Sequence, residues 1–249
     1  MSNKGTNNRV CISILKDKLK QFLFVFSRNK YLLRQQLYAT SNRNDHWEMC
    51  NQILGVHQNK KEIISFVELI KRENFEPEVL IEIGTANGGN NLFLATCFPS
   101  VQVVIGIDLY VKNRKQIKFY LPNKVVHTIS ASSYSMVTIQ KVKKIIGTYK
   151  KGIVFIDGDH WYEGVRADFE AYKDMFTSNT CIAFHDIVPD DFLRYGKETP
   201  MWVGDVPKFW KELKKQLNNT IEIIDRPDQN GLGIGVILPT YNNTLNKDY

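Results

Sequence analysis

Acidic residues and histidines stand directly after two apolar runs of this 249-residue chain. Asp157 follows the run Ile153 to Ile156. His185 and Asp186 follow the run Cys181 to Phe184. If these runs are neighbouring parallel strands, about 4.8 Å apart, their C-terminal side chains converge on one rim. An oxygen-rich cluster there suits a divalent cation such as Mg²⁺. The alternative is that Asp157 and Asp186 only hydrogen-bond backbone amides or a ligand at the strand ends.

A glycine-rich turn forms the second group of candidate residues, and it reads Glu82-Ile83-Gly84-Thr85-Ala86-Asn87-Gly88-Gly89. It lies between an apolar run and a helical pattern. Glycines let a ligand approach the backbone, and a helix N-terminus favours an anionic group. Asp108 ends the next apolar run, about 20 residues on, where an acid receives the hydroxyls of a nucleoside ribose. Asp108 therefore favours a nucleoside-binding turn over a merely structural one.

Seven short apolar runs must position these residues, and most are rich in Val and Ile, as buried strands are. They are Val79–Ile83, Val101–Ile107, Val125–Ile129, Ile153–Ile156, Cys181–Phe184, Ile221–Ile224 and Gly233–Leu238. Helical stretches separate the first five, which predicts an α/β fold with a doubly wound, mostly parallel seven-stranded sheet. The last two flank a turn and predict an antiparallel pair at one edge. Ligands of such sheets bind at the carboxyl ends of the strands.

Four segments carry a family resemblance: E-I-G-T-A-N-G-G, G-I-D, F-I-D-G-D-H-W-Y-E-G-V-R-A-D-F and I-A-F-H-D-I. In them the chain resembles class I S-adenosylmethionine-dependent methyltransferases. It is most similar to the branch that includes cephalosporin-hydroxylase-like and macrolide-sugar O-methyltransferases. The similarity covers about residues 78 to 238 and is most specific from Phe155 to Phe169. It implies a Rossmann-like methyltransferase fold and S-adenosylmethionine as cofactor.

The resemblance implies a set of cofactor-binding residues, which are Glu82, Gly84, Thr85, Gly88, Asp108 and Ser132. Glu82 and Gly84 would face the methionine part of the cofactor. Asp108 would bind its ribose, and the loop around Ser132 its adenine. The sequence departs from the family pattern at two positions. Ala86 stands where a third glycine is frequent, and Ala131 stands where many relatives have an acidic residue.

The resemblance also implies a metal site and a general base. Related metal-dependent enzymes place ligands at the positions of Asp157, His185 and Asp186, but an oxygen ligand is usual where His185 stands. An imidazole there favours Mn²⁺, Fe²⁺ or Zn²⁺ over Mg²⁺. His160, three residues after the first ligand, occupies the usual base position, and a histidine can accept a hydroxyl proton at neutral pH. The alternative is that His160 caps the helix that follows.

The net charge of +7 lies in the first 47 residues, which hold nine basic and two acidic residues. The pattern from Val10 to about Tyr38 predicts a basic amphipathic helix. Such a helix packs on its own domain, packs on a second subunit, as in a homo-oligomer, or lies on an anionic membrane. We therefore divide the chain into a basic helical extension, residues 1 to 47, and a methyltransferase domain, residues 48 to 249.

Composition excludes several other classes of protein. The rest of the chain is charge-balanced, which disfavours a nucleic-acid partner because phosphate binding needs a basic face. Four scattered cysteines, Cys11, Cys50, Cys97 and Cys181, show no zinc or disulfide spacing. No apolar run near the N-terminus approaches the roughly 18 residues of a membrane span. We expect a cytoplasmic protein with reduced thiols.

The sequence thus predicts an enzyme, an S-adenosylmethionine-dependent O-methyltransferase that acts on a hydroxyl of a small molecule, a sugar or a secondary metabolite. The long segment from Val188 to Trp210 predicts a lid or substrate loop. Trp161, Tyr162 and Trp202 either form a stacking wall for the acceptor or pack this lid. The alternative function is a methyltransferase-like scaffold that binds the cofactor without turnover.

Overall fold

A single seven-stranded sheet organises the computed structural model, which describes residues 3 to 239 and their side chains from residue 14 onward. The strands are β1 (Val79–Ile83), β2 (Val103–Asp108), β3 (Val125–Ser130), β4 (Gly152–Ile156), β5 (Thr180–His185), β6 (Thr220–Ile223) and β7 (Ile234–Ile237). Their order is β3-β2-β1-β4-β5-β7-β6. The first five strands run parallel, and β7 pairs antiparallel with both β5 and β6. The predicted mostly parallel sheet with an antiparallel edge is confirmed.

Helices cover both faces of the sheet. They are α1 (Asn3–Phe26), α2 (Asn29–Ala39), α3 (Arg43–Leu54), α4 (Lys60–Arg72), α5 (Gly89–Cys97), α6 (Arg114–Tyr120), α7 (Met136–Ile146), α8 (Tyr162–Tyr172), α9 (Asp191–Tyr195) and α10 (Val206–Lys214). Among the described helices, none is long and apolar enough to cross a membrane.

Two apolar layers hold the sheet between these helices. β1, β4 and β5 are buried along their whole length, as expected of parallel strands covered on both faces. Alternate residues of β1 enter different layers, so that Leu80 packs with α3 to α6 and Ile81 packs with α7, α8 and α10. Each strand end is thereby fixed in depth and direction, which is what a site at the carboxyl ends requires.

The N-terminal region departs from the predicted single helix between Val10 and Tyr38. The helix breaks after Phe26, and α2 starts at Asn29. The Lys30 ammonium donates to the carbonyls of Phe24 and Val25, at 3.3 and 2.5 Å. A buried lysine thus satisfies carbonyls that a helix end leaves without partners, which a pattern of apolar spacing does not reveal.

The boundary predicted between residues 47 and 48 falls inside α3. This helix is tied to the sheet layer, since His46 Nε2 lies 2.8 Å from the Thr96 hydroxyl of α5. The division into an extension and a domain therefore stays a prediction. Cys50, Cys97 and Cys181 are buried free thiols, whereas the side chain of Cys11 lies outside the described residues.

Candidate active site

A cavity of about 610 Å³ opens at the carboxyl ends of β1, β2 and β4. Its volume is within the range of small-molecule sites, roughly 300 to 1,000 Å³. The loops after these strands form its floor, and the segment before α4 closes one side with Gly55, His57 and Gln58. The cavity lies where the topology of a doubly wound sheet places ligands.

Glu82 is the buried acid of the cofactor turn, with 1% of its surface exposed. Its Oε1 accepts a hydrogen bond of 2.7 Å from the Asn90 side chain. Its Oε2 has no partner among the described residues. Burial raises the pKa of Glu82 to about 8, because removal from water disfavours the charged form. An unpaired carboxyl oxygen on the wall of a cavity is suited to receive a donor from a ligand.

The glycines of the turn have different roles. Gly84 has a φ of +81°, and a Cβ there would collide with the carbonyl of Asp157, so glycine lets the loops after β1 and β4 touch. Thr85 donates to the Glu82 carbonyl at 3.1 Å and lines the cavity with Gly84. Gly88 instead faces the Ile117 side chain of α6 and is not among the lining residues. Its place is at the contact between α5 and α6.

Asp108 ends β2 and lines the same cavity as Glu82. Each of its carboxylate oxygens accepts one backbone N–H at 2.9 Å, from Ala86 and from Tyr110. Ala86, at the predicted third-glycine position, has a φ of +46°, so this turn is left-handed without glycine. Ser132 also lines the cavity, and its buried hydroxyl has no partner among the described residues. The residues predicted for the ribose and adenine contacts therefore line the same cavity.

A cluster of two carboxylates and two imidazoles stands at the ends of β4 and β5. Nε2 of His160 lies 3.5 Å from Asp157 Oδ1 and 3.7 Å from Asp186 Oδ2. Nδ1 of His185 lies 3.3 Å from Asp157 Oδ1 and 3.4 Å from Asp186 Oδ1. Asp157 and His160 line the cavity, while His185 and Asp186 lie behind them with 5% and 6% of their surfaces exposed. The structure thus brings together all four of the residues predicted for metal and proton chemistry.

The orientation of His160 is set from the segment before α10. Its Nδ1 lies 2.8 Å from the Trp202 carbonyl. Because a carbonyl oxygen only accepts, we assign the proton of this bond to Nδ1, which leaves Nε2 facing the two carboxylates. The imidazole also stacks on the Trp202 ring, with centroids 5.5 Å apart. The capping alternative fails, because the first N–H of α8, that of Tyr162, donates to Asp205 Oδ2 at 3.2 Å and not to His160.

The charges of this cluster shift one another's protonation. Burial alone would raise the pKa of Asp157, but His185 and His160 hold it below its usual value. Burial alone would lower the pKa of His160. Its hydrogen bonds to Asp157 and to the Trp202 carbonyl raise this pKa instead, and the charges of Asp157 and Asp186 act in the same direction. The carboxylates raise the pKa of His185 in the same way. Asp157 therefore favours its ionised form, and the two imidazoles beside it favour their protonated form.

The same donor set can hold a divalent cation. One ligand atom each from Asp157, His160 and Asp186 lies within 4.8 Å of the others. A carboxylate pair with one imidazole nitrogen suits Mn²⁺, Fe²⁺ or Zn²⁺ better than Mg²⁺. His185 offers a buried Nε2 that has no partner among the described residues, but its Nδ1 points at the acids. The cluster of ligand atoms thus includes His160, whereas Nδ1 of the predicted His185 lies closer to each of the two carboxylates.

Gln58 is a site residue that the sequence analysis missed. It is buried, and its amide donates a 2.7 Å hydrogen bond to Asp157 Oδ2. This bond occupies one carboxylate oxygen and leaves Oδ1 to the two histidines. The contact joins residues 99 positions apart, so no local pattern signals it. The segment before α4, which carries Gln58, lies against the cofactor turn. The two approach so closely that a Cβ on Gly89 would collide with the Gly55 carbonyl.

Two tryptophans lie at the cavity mouth, Trp202 from the predicted lid and Trp161 as the residue before α8. Trp161 and Trp202 both line the cavity, are 64% and 54% exposed, and meet edge-to-face at 5.4 Å. Tyr162 instead packs on Phe209 and donates to the Glu212 carboxylate at 2.5 Å. The two tryptophans thus lie where the predicted stacking wall would stand, and their role toward an acceptor stays a prediction, whereas Tyr162 belongs to the packing alternative.

Comparisons with known proteins were made for the sequence and for the fold. A family model described as rhamnosyl O-methyltransferase/CmcI matches residues 45–237. An uncharacterized protein of Acanthamoeba polyphaga mimivirus is 32% identical over 115 residues, which are 43% of this chain and 50% of that protein. The chain therefore aligns with about half the length of this curated relative.

Solved structures share the fold at low sequence identity. An O-methyltransferase from Bacillus cereus, in complex with S-adenosylhomocysteine, aligns with a TM-score of 0.55 at 15% identity over 79% of this chain and 90% of that one. The O-methyltransferase TomG from Streptomyces achromogenes, in complex with S-adenosylmethionine, aligns with a TM-score of 0.54 at 13% identity over 81% and 91%. These similarities establish the Rossmann-like methyltransferase fold.

Proposed function

This chain belongs to the rhamnosyl O-methyltransferase/CmcI family, and we propose that it transfers a methyl group from S-adenosylmethionine to a hydroxyl of a small molecule such as a sugar. One observation carries the proposal: a single cavity joins the acids of the cofactor turn to an imidazole that two carboxylates hold in place. When bound, the cofactor supplies a methyl group on a positively charged sulfur.

The cofactor fits the polar atoms that the chain leaves without partners. The free oxygen of Glu82 would receive the ammonium of the methionine part, and the Ser132 hydroxyl would meet the adenine. Asp108 would accept the ribose hydroxyls through the remaining lone pairs of its oxygens, since a carboxylate can accept more than the two bonds it already makes. All three residues line the cavity.

The neutral form of His160, which carries no proton on Nε2, would remove the acceptor proton. Because the hydrogen bond to Asp157 raises the pKa of this imidazole, the neutral form gains population as the pH rises. Methyl transfer to a neutral hydroxyl requires loss of a proton as the oxygen attacks, and a positioned base contributes about 10² to 10⁴ in rate. Nε2 of His160 stands at the cavity wall, and the carboxylates of Asp157 and Asp186 would stabilise the imidazolium that forms. Trp161 and Trp202 present ring faces and edges beside it, a surface suited to the apolar face of a sugar.

A divalent ion would be held by Asp157 and Asp186, with His185 as the family resemblance implies or with His160, whose Nε2 lies within 4.8 Å of a ligand atom of each acid. It would supply polarisation of the acceptor oxygen. The two roles of His160 compete for the same Nε2. Titration with Mn²⁺, followed by electron paramagnetic resonance, separates them in the His160→Ala variant. Lost Mn²⁺ binding assigns His160 as a ligand, whereas retained binding with lost methyl transfer assigns it as the base.

Calorimetric titration of the purified chain with S-adenosylhomocysteine tests the cofactor proposal, with NADH as control because nicotinamide enzymes share Gly-rich turns. We expect one-site binding of S-adenosylhomocysteine and no binding of NADH. Absence of S-adenosylhomocysteine binding would overturn the proposal. Transfer of labelled methyl groups to a panel of sugars and hydroxylated metabolites then tests the acceptor class, and transfer to amines alone would contradict it.

A further inference from the structure

The N-terminal helix α1 has an inner face that seats it on the α6 region. Asp17 is buried and accepts hydrogen bonds from the Tyr110 hydroxyl at 3.0 Å and from the Gln21 amide at 2.6 Å. Phe24 packs edge-to-face on Phe119, with ring centroids 5.4 Å apart. The helix is therefore fixed in rotation, and its opposite face points away from the body of the protein.

That opposite face carries a row of large apolar side chains, which we name the outer strip: Leu15, Leu19, Phe22 and Phe26. These residues are 67%, 58%, 58% and 69% exposed. Their spacing of four, three and four residues places them within an arc of about 60° at 100° per residue. Single exposed apolar residues are ordinary, but a contiguous apolar surface marks an interaction site. We therefore expect the outer strip to contact a partner.

The charges around the outer strip indicate which partner fits. Lys16, Lys18 and Lys20 are exposed on both sides of the strip. The one acid between residues 14 and 38 is Asp17, and its carboxylate already serves the inner face. A second copy of the same face would bring lysines against lysines, which is unfavourable. Anionic headgroups with an apolar layer beneath them match both the lysines and the strip.

We propose that α1 docks this protein on an anionic lipid surface, with the outer strip entering the acyl boundary and the three lysines meeting the headgroups. A helix of this kind lies in the plane of the interface rather than across the bilayer. Each lysine near such a surface contributes about fivefold to the binding constant. No residue of the outer strip lines the cavity.

Vesicle sedimentation with the full chain tests the proposal. We expect binding to vesicles of phosphatidylcholine and phosphatidylglycerol at 3:1, and binding at least tenfold weaker to phosphatidylcholine alone. The double variant Leu19→Asp/Phe22→Asp should abolish binding. Its matched control, Met136→Asp/Val137→Asp, alters two residues of α7 that are 66% and 77% exposed and should bind like the wild type. Thermal melting of both variants verifies folding.

A charge test complements this comparison. Lys18→Glu/Lys20→Glu should weaken binding to the anionic vesicles by about 25-fold or more, whereas Lys143→Glu/Lys144→Glu on α7 keeps the same net charge change and should have little effect. Equal loss in both variants, equal binding to neutral vesicles, or no vesicle binding would overturn the proposal. A dimer in sedimentation velocity that Leu19→Asp/Phe22→Asp dissociates would assign the strip to a second copy instead.

Discussion

The cavity has a cofactor end, which we define by Asp108, and an acceptor end, which we define by Asp157. The carboxylates of these two residues are held by different kinds of hydrogen-bond partner. At the cofactor end, both oxygens of Asp108 accept backbone N–H groups, from Ala86 and Tyr110. At the acceptor end, the polar partners of the Asp157 carboxylate are side chains, namely one amide and two imidazoles. Backbone N–H groups do not change their protonation with pH, whereas an imidazole can gain or lose a proton.

The two ends therefore differ in their dependence on pH. The cofactor end is held rigidly, and the acceptor end can change its protonation. Backbone amides preorganise Asp108 before any ligand arrives, which favours affinity. The acid and histidine cluster instead contains imidazoles that can accept and release a proton, as a general base must. Substitutions at the two ends should therefore fail in different ways, one in cofactor affinity and the other in turnover.

The largest expected effect is at the acceptor end. His160→Gln should lower kcat by about 10² to 10⁴, because the glutamine cannot accept the proton, and should leave the dissociation constant of S-adenosylhomocysteine within about twofold of wild type. Stopped-time methyl transfer assays and calorimetry measure the two quantities. The control is His57→Gln, the same change at a cavity residue that contacts Asn87, for which kcat should stay within about threefold. A similar loss in both variants would remove His160 from the reaction.

The next effect belongs to the cofactor end. Asp108→Asn should weaken S-adenosylhomocysteine binding by about 10- to 100-fold, since an amide nitrogen would face a backbone N–H and a hydrogen bond to a charged group is worth about 1.5 to 3 kcal/mol. Asp186→Asn, the same change behind the acceptor end, should alter this affinity by less than about threefold. Calorimetry on both variants checks the contrast. Equal weakening would mean that the two ends are not separate.

A pH dependence should come from Glu82, whose pKa burial raises to about 8. Below that pH its carboxyl is protonated and cannot pair with a ligand ammonium, so affinity should rise about tenfold per pH unit from 6.5 to 8 and the complex should release a proton. Calorimetry in buffers of different ionisation enthalpy measures that release. Glu82→Gln should abolish both effects, and a pH dependence that survives in it would assign the proton to another group.

The same shift acts on the stability of the free protein with a defined sign. A carboxyl whose pKa is raised in the folded state contributes stability that is fully present below its ordinary pKa of 4.5 and is lost progressively as the pH rises from there through about 8. The melting temperature of the free protein should therefore fall over this range in the wild type and fall less in Glu82→Gln. Differential scanning calorimetry at each pH provides this check.

The smallest effect should come from Gln58. Gln58→Leu removes the 2.7 Å hydrogen bond to Asp157 Oδ2 and should lower kcat by about three- to tenfold, less than the full value of a charged hydrogen bond because water can replace the amide. The dissociation constant of S-adenosylhomocysteine should not change. The pH at which kcat is half-maximal should shift, which a merely structural role would not produce. Gln52→Leu, on the exposed side of α3, is the control and should match the wild type.

The strands and their site residues could be predicted because they depend on local signals. Short Val- and Ile-rich runs mark buried parallel strands, and Asp108, Asp157 and Asp186 follow such runs directly. Parallel pairing then brings the acids to one edge without further information. The predicted grouping of Asp157, His160, His185 and Asp186 needed only this geometry.

The missed features all depend on contacts between distant parts of the chain. Gln58 reaches Asp157 across 99 positions, and Gly88 resembles a cofactor glycine in sequence but packs against Ile117. The break between α1 and α2 depends on where the Lys30 ammonium lies in three dimensions. Apolar periodicity reports which face of an element is buried but not which side chain crosses to which partner.

The close approach of Gly55 and Gly89 limits which segments of this protein can be exchanged with those of relatives. Any side chain at position 89 would strike the backbone of residue 55, so the helical layer before the sheet and the cofactor turn share one fitted surface. A chimera that takes its first 58 residues from another member of the fold must match this surface. The N-terminal region is therefore a poor interchangeable cassette, and recombination sites are better placed within α1 or between α1 and α2.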